Sequence, residues 1–248
     1  MTTEQRRKDI FFPLLCCSFA VILALASLFA GFGNRWGWWG FRTGLTILRW
    51  TASAELATAA LALVCCFLPA TRKSGKALSL FLIALVISLA AASVPVRMWM
   101  IFRSVPKIHD ITTDTDNPPR FYALLKLRKD ALNPVTYGGQ EIAEQQHKAY
   151  PDLAPLVLDL PPDKAFERSL SAAKKLSWTI ISTDEGKGLI EATDTTFWFG
   201  FTDDIVIRIS QKGKGSRIDL RSLSRVGKSD VGTNAKRIRT FLKTVKDQ

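Results

Sequence analysis

The sequence predicts an N-terminal all-α membrane anchor of three transmembrane helices followed by a C-terminal α+β domain, an antiparallel four-stranded sheet packed by two helices. Three observations predict it. Long apolar stretches are confined to the first hundred residues, alternating segments punctuated by turns begin after Asp163, and all four cysteines lie in the first part. Averages conceal this division: hydrophobic residues make up 47% of the chain, so the information lies in their distribution.

Phe11 to Phe32 carries no charge, and a helix of that length crosses a hydrocarbon core about 30 Å thick. Ala77 to Val96 is equally free of charge, whereas Thr51 to Leu68 is shorter and contains Glu55. The expected spans are therefore about 11–32, 51–68 and 77–96. Ala24-Leu25-Ala26 has the form of a signal-peptide cleavage site, but the apolar run continues past it to Phe32, which favours an uncleaved anchor. Positive residues mark the cytoplasmic side: Arg6, Arg7 and Lys8 precede the first span, and Arg72, Lys73 and Lys76 separate the second from the third. Arg35, Arg42, Arg49, Arg97 and Arg103 on the other side weaken that asymmetry, while Trp36, Trp38, Trp39, Trp50 and Trp99 all fall at that one interface. The expectation is a multi-pass protein of a bacterial inner membrane, with a cytoplasmic N-terminus and a periplasmic C-terminal domain.

Glu55 is the one acidic residue within a span, and such residues are functional candidates. It shares a helical stripe with Ala52, Ala59, Ala62 and Cys66, the small-residue spacing of a helix-packing face. Pairing with Arg97 or Arg49, or reaching toward the headgroups, is the plain expectation. An ion path would need further polar residues across the spans, and none is expected. Cys16-Cys17 and Cys65-Cys66 should reach similar depth in antiparallel spans, as apolar packing residues or, alternatively, for lipid attachment or redox chemistry.

Residues 1–103 thus form the anchor and 104–162 a connecting segment of the outer domain, part extended and part helical, with Pro118-Pro119 closing its first stretch. The α+β core spans 163–248. Asp163 is expected to cap a helix to about Leu176. Trp178–Ser182 and Leu189–Thr195 read as strands around the Asp184–Gly188 turn. Ile205, Ile207 and Ile209 share one face of a third strand, and Ile218 and Leu220 one face of a fourth, with Gly213-Lys214-Gly215 turning between them. A last helix is expected from about Asp230 to Val245, its basic residues toward the C-terminus as the helix dipole favours.

The run Phe201–Ile209 (FTDDIVIRI) and the block Asp219–Ile238 (DLRSLSRVGKSDVGTNAKRI) resemble bacterial domain-of-unknown-function family 1499. Ile108-His-Asp-Ile111, Asp116-Asn-Pro-Pro119, Ala149-Tyr-Pro-Asp152 and Gly188-Leu-Ile-Glu-Ala192 extend the resemblance over roughly 105–245. It implies membrane anchoring and an envelope location, and no activity.

Candidate ligand-binding residues are Asp203, Asp204, Arg208, Asp219, Arg221, Arg225, Lys228 and Asn234. Arg208, Asp219 and Arg221 should occupy the strand face opposite the isoleucines, and Asp203, Asp204, Arg221, Ser222, Ser224, Arg225 and Asn234 cluster by sequence around the strand ends and the last helix start. Two readings compete. These residues form an ion-paired, capped turn orienting the helix, or Arg221, Arg225 and Lys228 join free N–H groups in an anion pocket. Gly227-Lys228-Ser229 lacks the earlier glycine of a phosphate loop, since Ser222 stands there. Two histidines, His109 and His147, make no zinc set. Asp110, Asp114 and Asp116 lack the glycine and closing glutamate of a calcium loop, and no serine-hydrolase elbow occurs. No catalytic residue, metal site or cofactor is expected, and a binding or scaffolding module is preferred to an enzyme. Residues 104–211 hold 12 basic and 16 acidic side chains, residues 212–248 hold 11 and 3. Beyond the lipid bilayer, anionic headgroups or an envelope protein are the expected partners, nucleic acid is not, and internal pairing of the two halves is the alternative. A lipid- or anion-binding domain, and an envelope enzyme with a polar site near the fourth strand and last helix, remain as alternatives.

Overall fold

The computed structural model describes residues 3–248, with side chains from residue 10 onward; the side chains of Arg6, Arg7 and Lys8 lie outside the described residues. The chain forms two compact units, residues 1–100 with 198–200, and residues 101–197 with 201–248.

The first unit contains α1 (Thr3–Arg35), α2 (Phe41–Phe67), a single turn α3 (Pro69–Arg72) and α4 (Gly75–Ser104). Three of these are long and apolar enough to cross a membrane: Ile10–Arg35, Phe41–Phe67 and Gly75–Ser104. The second begins ten residues before the expected Thr51. Arg42 and Arg49 dilute the apolar signal there without interrupting the helix. Large side chains such as Leu14, Ile22, Val64 and Val86 point outward, while the inner surface is built from small ones: Ala20, Ala30, Ala62 and Ala84 have no exposure. That inversion of the soluble pattern is expected where lipid replaces water. At Gly44 the backbone of α2 comes close to that of α1, since an added Cβ would lie 2.5 Å from the Ala30 carbonyl oxygen. Cys16, Cys65 and Cys66 share one buried cluster with Ala20, Ala62, Phe81 and Ala84, with Cys17 packed against it, and all four are free thiols.

The second unit is an α+β domain, and its sheet has six strands rather than four. The strands are β1 (Asp110–Thr112), β2 (Leu156–Leu158), β3 (Thr179–Asp184), β4 (Leu189–Thr195), β5 (Thr202–Lys212) and β6 (Gly215–Ser224). The path runs β1-β6-β5-β4-β3, antiparallel throughout, with β2 also paired to β6. β1 and β2 come from the segment expected to connect. Each is three residues long, too short to show alternation, and they share one edge of β6, β1 against 221–223 and β2 against 216–218. Together they cover an edge that would otherwise offer unpaired amides. The β5–β6 hairpin closes on Gly213-Lys214 between the paired Lys212 and Gly215, and Gly213 has φ of +60°, which tight hairpins require at low cost only from glycine.

Two helices cover one sheet face, α6 (Pro162–Lys175) and α7 (Thr233–Lys246); α5 (Gly139–Ala149) and a 3₁₀ turn, Ala123–Arg128, belong to the segment before β2. Asp163 lies inside the first turn of α6 and is not its cap: Pro161 holds that position and Pro162 opens the helix, where a missing N–H costs nothing. Ile190, Ile205, Ile207, Ile209, Ile218 and Leu220 meet Phe166, Ile238 and Phe241 in one core, each large side chain contributing about 1.5–3 kcal/mol. Trp178 stacks on Phe241 at 5.3 Å. The opposite face carries a smaller cluster of Phe121, Leu124, Val206 and Leu223.

Candidate functional site

Strand alternation divides the predicted cluster. Asp203 lies on the helix-covered face with Ile205 and Ile207, whereas Asp204 points to the other face with Val206. The two adjacent aspartates therefore belong to separate networks.

On the helix side, Asp194 of β4 stands directly opposite Asp203 of β5. Like charges in that register repel, and Arg237 of α7 enters between them. It binds Asp194 Oδ2 through Nε (3.0 Å) and Nη2 (2.8 Å), and Asp203 Oδ2 through Nη2 (2.7 Å). Its Nη1 donates to Ser222 Oγ at 3.1 Å and to Asn234 Oδ1. Asn234, fully buried, gives its amide hydrogens to the His109 carbonyl and Ser224 Oγ, both at 3.0 Å. Burial pushes the Asp203 carboxyl upward against the opposing influence of Arg237. Asp230 precedes α7 and accepts from the N–H groups of Gly232 (3.0 Å) and Asn234 (2.6 Å). Burial raises it to about 6 despite those bonds. α7 thus begins at Thr233, not Asp230, because Asp230 caps it from outside.

On the other face, Asp204 is fully buried between Arg128 and Arg225; Arg225 Nη2 donates at 2.8 Å and its Nε at 3.1 Å. Arg128 also holds the Asn133 carbonyl at 2.9 Å. Arg221 makes a two-point contact with Asp110, 2.9 and 2.7 Å, and donates to the carbonyls of Pro119 (3.2 Å) and Val135 (2.7 Å). Its guanidinium lies over the rings of Phe121 and Tyr137, at 5.1 and 5.6 Å. Burial, aided by Asp110, lifts the Tyr137 phenol to about 12. Arg208 and Asp219, opposed in register, pair at 2.9 Å, and Arg217 and Asp114 complete a four-member network. Glu191 of β4 accepts the N–H groups of Tyr122, Ala123 and Leu124, each at 2.9 Å, and so caps the 3₁₀ turn from a distance.

Of the eight predicted residues, Arg208, Asp219 and Arg221 share the face opposite the isoleucines, Asp204 and Arg225 form a second group there, Asp203 and Asn234 join Arg237 on the helix side, and Lys228 is exposed. The sequence pattern did not single out Arg128, Asp110, Asp194, Glu191 or Arg237 as members. Arg237 was readable only as one of several basic residues on the last helix, although its position three after Asn234 places both on one face.

These geometries define a protein with three membrane-capable helices and an α+β domain whose buried charges are tied to one another. The chain belongs to the family described as "Protein of unknown function (DUF1499)", whose profile matches residues 110–245. No curated protein matches the chain. Among solved structures, one titled "Crystal structure of Ara h 8.0201" is similar at 13% identity with a TM-score of 0.29, over 38% of this chain and 95% of that one. A likeness at that score carries no argument about fold or ligand.

Proposed function

We propose that the protein is a membrane-tethered, non-catalytic binding module of the bacterial envelope, its C-terminal domain outside the cytoplasm and its partner an anionic surface such as lipid headgroups. The carrying observation, from β5 through α7, is a division of labour between arginine and lysine; earlier in the domain Lys164 and Lys187 do pair with Glu167 and Asp184. Arg128, Arg208, Arg217, Arg221, Arg225, Arg237 and Arg239 are all spent on aspartates. Lys212, Lys214, Lys228, Lys236, Lys243 and Lys246 are exposed. Lys236, Lys243 and Lys246 share the outer face of α7 by helical spacing, a field suited to acidic groups.

The polar residues of the alternative enzyme reading are split by the sheet and held by caps and ion pairs, which favours binding over catalysis. A lipid-enclosing interior is disfavoured as well, because Phe166, Trp178, Ile207 and Phe241 fill the helix-side core. The test uses the full chain in neutral-lipid nanodiscs, mixed with vesicles of phosphatidylglycerol or of phosphatidylcholine. Binding confined to the anionic vesicles, lost at high salt and reduced several-fold by Lys236→Glu with Lys243→Glu, is expected. Equal binding to both vesicle types would sink the proposal. Orientation is tested separately: protease added to intact spheroplasts should cleave the C-terminal domain, and a cytoplasm-active reporter fused after Gln248 should stay silent.

A further inference from the structure

The helical unit holds a carboxylate without a hydrogen-bond partner among the described residues. Glu55 has no exposure, and neither Oε1 nor Oε2 has a hydrogen-bond partner. The expected pairing with Arg49 or Arg97 does not occur; Arg49 lies instead by the ring of Trp50, at 6.0 Å. Contrary to the expectation of no further polar groups, Ser27, Thr51, Thr58 and Ser88 are also buried in the spans. Ser27 donates to Thr51 Oγ1 at 2.6 Å, one turn along α2 from Glu55, and Thr58 is bound to the Ala54 carbonyl. Ser88 of α4, also without exposure, brings its hydroxyl toward the carboxylate but stays outside hydrogen-bonding geometry. Two unpartnered polar side chains from two helices therefore meet inside the bundle.

An isolated carboxylate in a low-dielectric interior costs several kcal/mol, and one positive charge offsets it. A divalent ion would leave an excess charge and demands six or more oxygens, whereas Glu55 and Ser88 offer three. We propose that Glu55 and Ser88 form an intramembrane site for one small monovalent cation, a proton or an alkali ion, whose occupancy holds α2 against α4. Among the described residues Ser88 is the side chain brought toward the carboxylate; on α1 the buried Ser27 is neutral and committed to Thr51, one turn from Glu55 on α2. Cys65 and Cys66 lie nearly three turns further along α2.

The cysteines supply a readout specific to this unit, since all four lie in α1 and α2. The full-length protein in neutral-lipid nanodiscs is heated, and unfolding of the bundle is followed as alkylation of Cys16 and Cys65. The midpoint is measured between about pH 5 and about pH 9, in sodium and in choline chloride, for wild type and Glu55→Gln. A wild-type midpoint that falls by about 5 °C as pH rises in both salts, with Glu55→Gln flat, identifies the cation as a proton. A midpoint sustained at alkaline pH by sodium and not by choline, again only with Glu55 present, identifies an alkali ion. Parallel behaviour of wild type and Glu55→Gln in both salts would overturn the site. If Glu55→Gln does not assemble, Ser88→Ala keeps the carboxylate and should shift the pH or sodium dependence several-fold; a profile identical to wild type would overturn the site equally.

Discussion

In the C-terminal unit Asp110, Asp203, Asp204, Asp219 and Arg221 are all buried, and each lies in an ion pair. In the helical unit Glu55 is as deeply buried and has none among the described residues. The contrast follows from what surrounds each unit's charges. The sheet presents side chains at fixed register, so a cation on one strand or helix can be held against a carboxylate on the next. Arg208 opposite Asp219, and Arg237 between Asp194 and Asp203, are instances. The bundle offers mainly alanine, cysteine and hydroxyl groups at its inner surface, none of which carries a compensating charge. One unit satisfies its charge internally, and the other leaves it for something that binds.

The largest expected effect breaks the internal pairing. Arg221→Ala would leave Asp110 buried and unpaired and would free the Pro119 and Val135 carbonyls. A loss of about 3–5 kcal/mol is expected, read as lost hydrogen-exchange protection of the β5 and β6 amides during urea denaturation. A change below about 1 kcal/mol would show that this network is dispensable. Replacing Asp110 as well, by Asn, should recover part of the loss, because the stranded charge and not the missing contact causes most of it.

How far this contrast was readable from sequence depends on periodicity. The three spans, the four longer strands, both sheet-packing helices and the inward isoleucines follow from repeats of 2 and 3.6 residues. Arg208, Asp219 and Arg221 were placed on the correct face by the same alternation. The edge strands β1 and β2 were not, since three residues cannot establish a period and their pairing is set by tertiary contact with β6. Nor were the partners. Arg128 lies 76 residues from Asp204 in sequence, and Arg221 lies 111 from Asp110. No local rule links positions so distant. Glu55 was visible because one acid in an apolar run stands out, but the facing Ser88 was not, serine being unremarkable in a span.

Acidity sharpens the comparison within the C-terminal unit. Asp230 titrates near 6 in the folded protein against 3.8 for the free side chain, so the folded state holds its proton more tightly than the unfolded chain. Its contribution is fully present below about pH 4 and is lost as pH rises through about 6, on the order of 3 kcal/mol. Asp203 is shifted in the same direction by burial. The domain should therefore gain stability on acidification from neutrality toward pH 5, and Asp230→Asn should flatten that gain. Urea midpoints at the two pH values, followed by the same amides, measure it. A wild-type domain that loses stability over this interval would refute the assignment.

The smallest effect belongs to the pair that most resembles the buried ones in geometry. Arg239 binds Asp152 with Nε and Nη2 at 2.6 and 2.7 Å and lies over the Tyr150 ring at 5.3 Å. That is the same combination of two-point contact and aromatic face seen at Arg221. The side chains are 43% and 53% exposed, against 4% and 7% for Arg221 and Asp110. Water and salt screen an exposed pair, and its members are not stranded when one is removed. Arg239→Ala should cost at most about 1 kcal/mol, a value that shrinks further in high salt. A loss matching Arg221→Ala would mean that contact geometry outweighs burial, and the distinction between satisfied and stranded charge would no longer explain how this domain is held together.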